Sequence, residues 1–337
     1  MQAKILVTGG CGYIGSHTVI DLVENGFDVV SIDNCSNSQP QTMQSVSKIV
    51  GKSITNYAID LCDFDAVKKV FDENNFTGVI HFAAFKSVPE SVEKPLAYYH
   101  NNLTSLTNLL RLTEAYGVKH FVFSSSCSVY GNATDLPVTE ATAFQQAESP
   151  YAHTKQIGEE IIKAQAKVSA NKYILLRYFN PVGAHESGLI GENPTVVVTA
   201  VVPRITGFAI GKFSSFSVFG TDYPTRDGTC VRDYIHVMDI ANAHTKALQF
   251  SIAEKSKSNC EVFNLGTGNG VTVLEAIESF ERVSATKLNY TKAPRREGDV
   301  VAIYANNDKA KQLLGWNPSR SLDDMMNTAW VWEQRNR

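Results

Sequence analysis

Cysteine is scarce and scattered: six residues, at positions 11, 35, 62, 127, 230 and 260, with no Cys-x-x-Cys pair and no Cys/His ligand spacing. That argues against a disulfide scaffold and against a metal site, and it points to reduced thiols in a cytoplasmic protein. No run of 18 or more apolar residues occurs, so no membrane span is expected. Met1-Gln2-Ala3-Lys4 leads into only three apolar residues, Ile5-Leu6-Val7, which reads as a first strand rather than a signal peptide. A basic excess is also missing. The 31 Lys+Arg stand against 34 Asp+Glu, a net charge of -3, which speaks against a nucleic-acid partner. Internal repeats, low-complexity tracts and Ser/Gly linkers are absent too, so the parts of the chain should pack tightly. What remains is an ordinary globular mixture, 43% hydrophobic and 19% charged over 337 residues, enough for one large α/β unit or two domains.

Short apolar runs alternate with helical patterns through the first half. Residues 5–7, 28–32, 78–82, 120–123 and 173–177 read as buried parallel strands. Between them, residues 16–25, 63–74, 101–116 and 151–167 carry apolar side chains at helical spacing. Such alternation predicts right-handed βαβ crossovers and a doubly wound parallel sheet of the Rossmann type. After about Pro181 the pattern changes to a Gly- and Pro-rich loop followed by shorter apolar segments. The expected division is a dinucleotide-binding domain over 1–181, with later segments returning to it, and a smaller α/β substrate domain over 182–337.

Directly after the first strand, Gly9, Gly12 and Gly15 form Gly-x-x-Gly-x-x-Gly and a helix follows. Glycine there permits a tight turn, lets backbone approach a pyrophosphate and allows close helix-on-strand packing. Asp33 comes at the end of the next strand, 18 residues after Gly15. A carboxylate at that point accepts hydrogen bonds from ribose hydroxyls and repels a 2′-phosphate, which favours NAD over NADP.

A second constellation begins where the strand at 120–123 runs into Ser124-Ser125-Ser126. Ser149-Pro150-Tyr151-Ala152-His153-Thr154-Lys155 then opens a helix, with Pro150 suited to its first turn. Tyr151 and Lys155, at i and i+4, share one helix face. A phenol with an ordinary pKa of about 10 is a poor base at neutral pH, but a nearby ammonium and a cationic nicotinamide favour the phenolate. Ser126 can hydrogen-bond the same substrate oxygen. A Tyr/Lys pair at this spacing also arises on solvated helices; the serine-rich strand end and the dinucleotide loop give it weight.

These motifs resemble the extended short-chain dehydrogenase/reductase family, and within it the UDP-hexose 4-epimerases, over nearly the whole chain. The likeness also rests on Arg177-Tyr178-Phe179-Asn180-Pro181-Val182-Gly183-Ala184-His185, Val231-Arg232-Asp233-Tyr234-Ile235-His236 and Arg295-Arg296-Glu297-Gly298-Asp299. The resemblance implies interconversion of UDP-glucose and UDP-galactose through a 4-keto intermediate, with transient hydride transfer to tightly held NAD. It implies Tyr151, Lys155 and Ser126 as the catalytic group. It places Gly9, Gly12, Tyr13, Ile14, Gly15, Asp33, Asn34, Asn37, Ser38, Asp60, Leu61, Phe82, Ala83, Lys86, Asn101, Ser124, Tyr151, Lys155, Tyr178 and Phe179 at the NAD site. For the UDP-sugar it implies Lys86, Ser126, Tyr151, Asn180, Phe219, Arg232, Arg296 and Asp299. Arginines can fork onto a diphosphate and an aromatic can pack on the base or ribose. It also implies a homodimer joined through the helices near 101–116 and 151–167.

Two positions depart from the family pattern. Where members usually read Pro-Asn-Asn-Leu, this chain has Val198-Thr199-Ala200-Val201, within an almost wholly apolar stretch from Val196 to Val202. Ala200 cannot supply the side-chain contact to the nucleotide that the second Asn makes. Ile303 stands where Tyr, Cys or Ser is common, a position whose bulk bears on 2-acetamido sugars. The alternative substrate is accordingly UDP-N-acetylglucosamine/UDP-N-acetylgalactosamine. A 4,6-dehydratase would need an acid and a base beside the strand-end serine, where Cys127 and Ser128 stand.

Overall fold

The computed structural model describes residues 2–193, 198–296 and 299–336. Val196, Val197, Glu297 and Gly298, singled out above, lie outside the described residues. Along the chain the elements are β1 (Lys4–Thr8), α1 (Tyr13–Glu24), β2 (Asp28–Ile32), α2 (Gln41–Val50), β3 (Thr55–Tyr57), α3 (Phe64–Glu73), β4 (Gly78–His81), α4 (Val88–Glu93), α5 (Pro95–Ala115), β5 (His120–Ser124), α6 (Pro150–Gln165) and β6 (Lys172–Tyr178). Then follow β7 (Asn180–Val182), α7 (Val201–Ala209), β8 (Ser217–Phe219), β9 (Val231–Arg232), β10 (Tyr234–His236), α8 (Val237–Ile252), β11 (Cys260–Leu265), β12 (Val271–Thr272), α9 (Val273–Ser284), β13 (Thr291–Ala293), β14 (Ala302–Ile303) and α10 (Leu322–Arg335).

Seven parallel strands form one sheet in the order β11-β6-β5-β4-β1-β2-β3. Apolar side chains from alternate strand positions fill a core on each face. One face packs Ile5, Val7, Ile80, Val122 and Ile174 under α1, α2 and α8. The other packs Leu6, Val79, Phe121, Phe123 and Leu175 under α3, α5 and α6. Helices on both faces make the sheet doubly wound, which explains why its strands read as unbroken apolar runs.

Two strands of this sheet escaped the sequence reading. β3, Thr-Asn-Tyr, lies at one edge of the sheet and has no fully buried position. β11 lies at the other edge beside β6, so a segment after residue 182 completes the first sheet. The helix expected from 101 starts instead at Pro95, whose ring occupies the first turn without loss of a needed N–H. A smaller α/β assembly gathers α7, α9, α10 and the short strands around Val182, Ile205, Val218, Phe280 and Met326. A further, bridging cluster, drawn from residues on both sides of position 182, joins Val129, Tyr130, Phe179, Ile303 and Ala305.

Candidate active site

The β1–α1 turn is built as a cradle. Gly9 has φ +75, and a Cβ there would come within 2.8 Å of the Ala83 backbone nitrogen. A Cβ on Gly15 would run into the carbonyl oxygen of Gly9. Gly12 caps α1 without any side-chain hydrogen bond, and the first turn, opening with Tyr13 and Ile14, holds no acid. The N-terminal N–H groups of a 12-residue helix are thus free of a competing side-chain anion. Asp33 follows β2, and its carboxylate accepts from the amides of Cys11 (2.9 Å) and Cys35 (2.8 Å) and from Ser38 Oγ (3.0 Å). Three of about four lone-pair positions are taken, which fixes the carboxylate and leaves capacity for a ribose hydroxyl. These residues fit a dinucleotide.

The other NAD-site candidates divide by exposure. Asn34 reaches Asp60 at 3.4 Å, and Asn37 is exposed nearby. Phe82 packs its ring 4.5 Å from that of His244. Asn101 donates to Asn102 at 2.9 Å. Leu61 and Phe179 are buried in the hydrophobic clusters. Lys86 pairs with Glu192 at 3.3 Å, and the Tyr13 hydroxyl donates to the Gly183 carbonyl at 2.6 Å. Those contacts join the segment after β7 to the start of α1 and to the segment between β4 and α4.

At and after the end of β5 lie Ser124 and Ser126, and α6 carries Tyr151 and Lys155. Ser149 caps α6, its side chain accepting from the Ala152 amide, and so starts the helix with Tyr151 in the first turn. Desolvation pushes the Tyr151 phenol up to about 12, against the lowering influence of the nearby Ser126 hydroxyl. Tyr151 is half-buried and Lys155 buried; desolvation brings the Lys155 ammonium down to about 8, against the opposing pull of Glu159. The Tyr178 hydroxyl meets that of Ser124.

A buried ion pair that the sequence reading passed over orients this helix. Glu159 accepts from Arg177 Nε at 2.8 Å and Nη2 at 2.6 Å, and from Ser125 Oγ at 2.6 Å. Tyr151, Lys155 and Glu159 recur every fourth residue on one face, a spacing that could have flagged it. Asp233 was likewise missed as an anchor. It is fully buried and collects the amides of Thr267, Gly268 and Ala305.

A cavity of about 390 Å³ opens in the smaller assembly, lined by residues of α7, β8 and β9 together with Arg296 and Asp299. It brings together Phe219, Arg232, Arg296 and Asp299. Asp299 lies 3.8 Å from Arg232 and 3.0 Å from Arg296, and the Arg296 guanidinium sits 5.1 Å from the centre of the half-exposed Phe219 ring. Asn180 pairs through its backbone with Tyr234, and its amide donates to the Asp233 carbonyl. Ile303 pairs with Arg232 in register while its side chain is buried in the bridging cluster with Phe179. Ala200 is exposed at the N-cap of α7 and makes no capping hydrogen bond.

Comparison with known proteins agrees with this geometry. A protein-family model described as GDP-mannose 4,6-dehydratase matches residues 6–329. The UDP-glucose 4-epimerase of Bacillus subtilis is 47% identical over 334 residues, covering 98% of this chain and 97% of that one. That of Homo sapiens is 45% identical, covering 100% and 98%. The chain belongs to the UDP-glucose 4-epimerase family. The crystal structure of the Bifidobacterium longum member, in complex with NAD+ and UDP, superposes with a TM-score of 0.94 at 43% identity, covering 99% of both chains. Among the described residues, no helix is long and apolar enough to cross a membrane.

Proposed function

We propose that this chain interconverts UDP-glucose and UDP-galactose by inverting C4 of the sugar, with NAD retained through the cycle. What supports this reading is that one chain carries a half-buried Tyr151 with the buried Ser126 and Lys155, a glycine cradle with Asp33, and an arginine-lined cavity. Bound NAD supplies the acceptor and donor of hydride. Tyr151 takes the proton of the 4-hydroxyl at its phenol oxygen and returns it once the 4-keto sugar has turned over. Ser126 holds the same sugar oxygen, and Lys155 lends positive charge that favours the phenolate. Gly9, Gly12, Gly15 and Asp33 hold the dinucleotide; Arg232 and Arg296 fork onto the diphosphate, exchanging part of their pairing with Asp299 for phosphate oxygens. Cys127 and Ser128 offer no carboxylate for the dehydration that the family-model description names.

We divide the chain at about residue 182 into a dinucleotide unit, which β11 rejoins, and a substrate unit. We also propose a homodimer through α5 and α6. These helices pack side by side, Leu103 and Ile157 stay half-exposed on them, Leu96 in the first turn of α5 is exposed at 81%, and Val92 of α4 is exposed beside them. Cytoplasmic location fits the six free thiols.

The deciding experiment incubates the purified protein, without added NAD, with UDP-glucose, UDP-galactose and their 2-acetamido forms, and follows the ring protons by NMR. Interconversion of the first pair is expected. Turnover confined to the 2-acetamido pair would replace the substrate assignment, and no turnover of any would sink the function.

A further inference from the structure

The cavity has a direction. At one end Arg232 pairs in register with Ile303, which packs beside Cys127 and Phe179, and its charge acts on the Cys127 thiol directly after Ser126. That end therefore faces the proton-transfer group, and Arg296 and Asp299 sit next to it. A nucleotide sugar with its hexose at Tyr151 and its diphosphate on these arginines must extend its base along β8 toward Ser215. Ser215 and Phe219 are four residues apart, about 13 Å at an extended rise of ~3.3 Å per residue.

At that far end the cavity is lined by a third arginine, Arg204 of α7. Unlike the other two it is positioned by neutral groups. Its Nη2 donates to the Ser215 carbonyl at 2.9 Å, and its guanidinium carbon lies 4.2 Å from the centre of the Phe213 ring. Phe213 in turn is seated against Gly207, where any Cβ would collide with the ring. A guanidinium fixed in this way keeps further N–H groups and has no acceptor. It can therefore complement only an acceptor edge. Uracil presents a carbonyl at C4; cytosine presents an amino group there, which would leave two donors face to face.

We propose that Arg204 reads the carbonyl edge of the nucleobase and so makes the cavity select a uridine over a cytidine nucleotide. This rests on the nucleotide-sugar function proposed above and assigns a specificity residue within it. Arg204 is remote from the reacting carbon, so its loss should appear in binding rather than in turnover.

The test uses calorimetric titration of the full-length protein with UDP and with CDP, alongside kinetics on UDP-glucose. The unaltered protein should prefer UDP by about tenfold or more, the scale of one mismatched charged hydrogen bond. Arg204→Ala should bring the two affinities within about twofold by weakening UDP alone, and raise KM with kcat little changed. Phe213→Ala, which unseats the guanidinium without removing its charge, should erode the same preference. If Arg204→Ala weakens UDP and CDP by one common factor, or leaves both unchanged, or if the unaltered protein does not distinguish them, the assignment is overturned. Failure of the unaltered protein to bind UDP at all would overturn the underlying function as well, which separates the two failures.

Discussion

Tyr151 and Lys155 share a helix face, yet the Lys155 Nζ lies 6.0 Å from the centre of the tyrosine ring and donates to the Ser124 carbonyl at 2.7 Å. In the proposed mechanism the lysine acts on the phenol through charge, from a position fixed by backbone. Burial brings the ammonium down to about 8, so it is cationic below that pH and neutral above it. With the cation gone, the phenolate loses its partner. The kcat/KM for UDP-glucose should therefore fall as pH rises through about 8, and a profile that stays flat from pH 7 to 9.5 would contradict this role.

Removing the phenol oxygen tests the proton path itself. Tyr151→Phe keeps the ring and its packing while deleting the only atom assigned to exchange the proton. Turnover should drop by at least about 10²-fold, the usual scale for a lost general base, with bound NAD retained as read by absorbance of the released cofactor. Substantial residual activity would move the proton transfer to another group.

Glu159 holds α6 against β5 and β6 through Arg177 and Ser125, all of them buried. Glu159→Gln leaves the Arg177 charge without its partner, which typically costs about 3 kcal/mol. The hydrogen bonds of Arg177 hold the Glu159 carboxyl below the usual range despite the opposing burial. A depressed carboxylate contributes stability above its unfolded pKa of about 4.3, and that contribution is lost as pH falls through the folded value. Urea unfolding of Glu159→Gln at pH 7 should show the loss; a change below about 0.5 kcal/mol would mean that solvent reaches this pair.

Much of this site was legible from local pattern, and the rest was not for a physical reason. The glycine cradle, Asp33 and the Tyr151 turn are each set within about one supersecondary unit, so spacing alone reveals them. β11 was hidden because its membership of the first sheet depends on β6, more than eighty residues earlier. The pairing of Asp299 with Arg232, far apart along the chain, has the same character. Sequence proposes residue types; folding decides which charges meet.

Three histidines should make the fold acid-sensitive. Burial depresses His17, His81 and His236 to about 3, so each stays neutral in the folded protein while the unfolded chain titrates near 6.5. Stability is complete above about 6.5 and is lost progressively as pH falls toward the folded values. Each histidine contributes up to about 2 kcal/mol of loss between pH 6.5 and 5. Denaturant midpoints at pH 7 and 5 should differ accordingly, and His81→Gln should reduce the difference. An equal midpoint at both values would mean that these rings are hydrated.

Ala200 offers the converse case, a gain. It is the N-cap of α7, has extended backbone geometry suited to a capping residue, and provides no side-chain acceptor for the first-turn amides. An Asn at that position should cap the helix and stabilise it by about 1 kcal/mol. Because Val198, Thr199 and Val201 beside it line the cavity, the same amide would also face the nucleotide. Ala200→Asn should therefore raise the melting temperature and tighten UDP binding together. A higher melting temperature with unchanged UDP affinity would show that the cavity has repacked around alanine, and that position 200 serves only the helix.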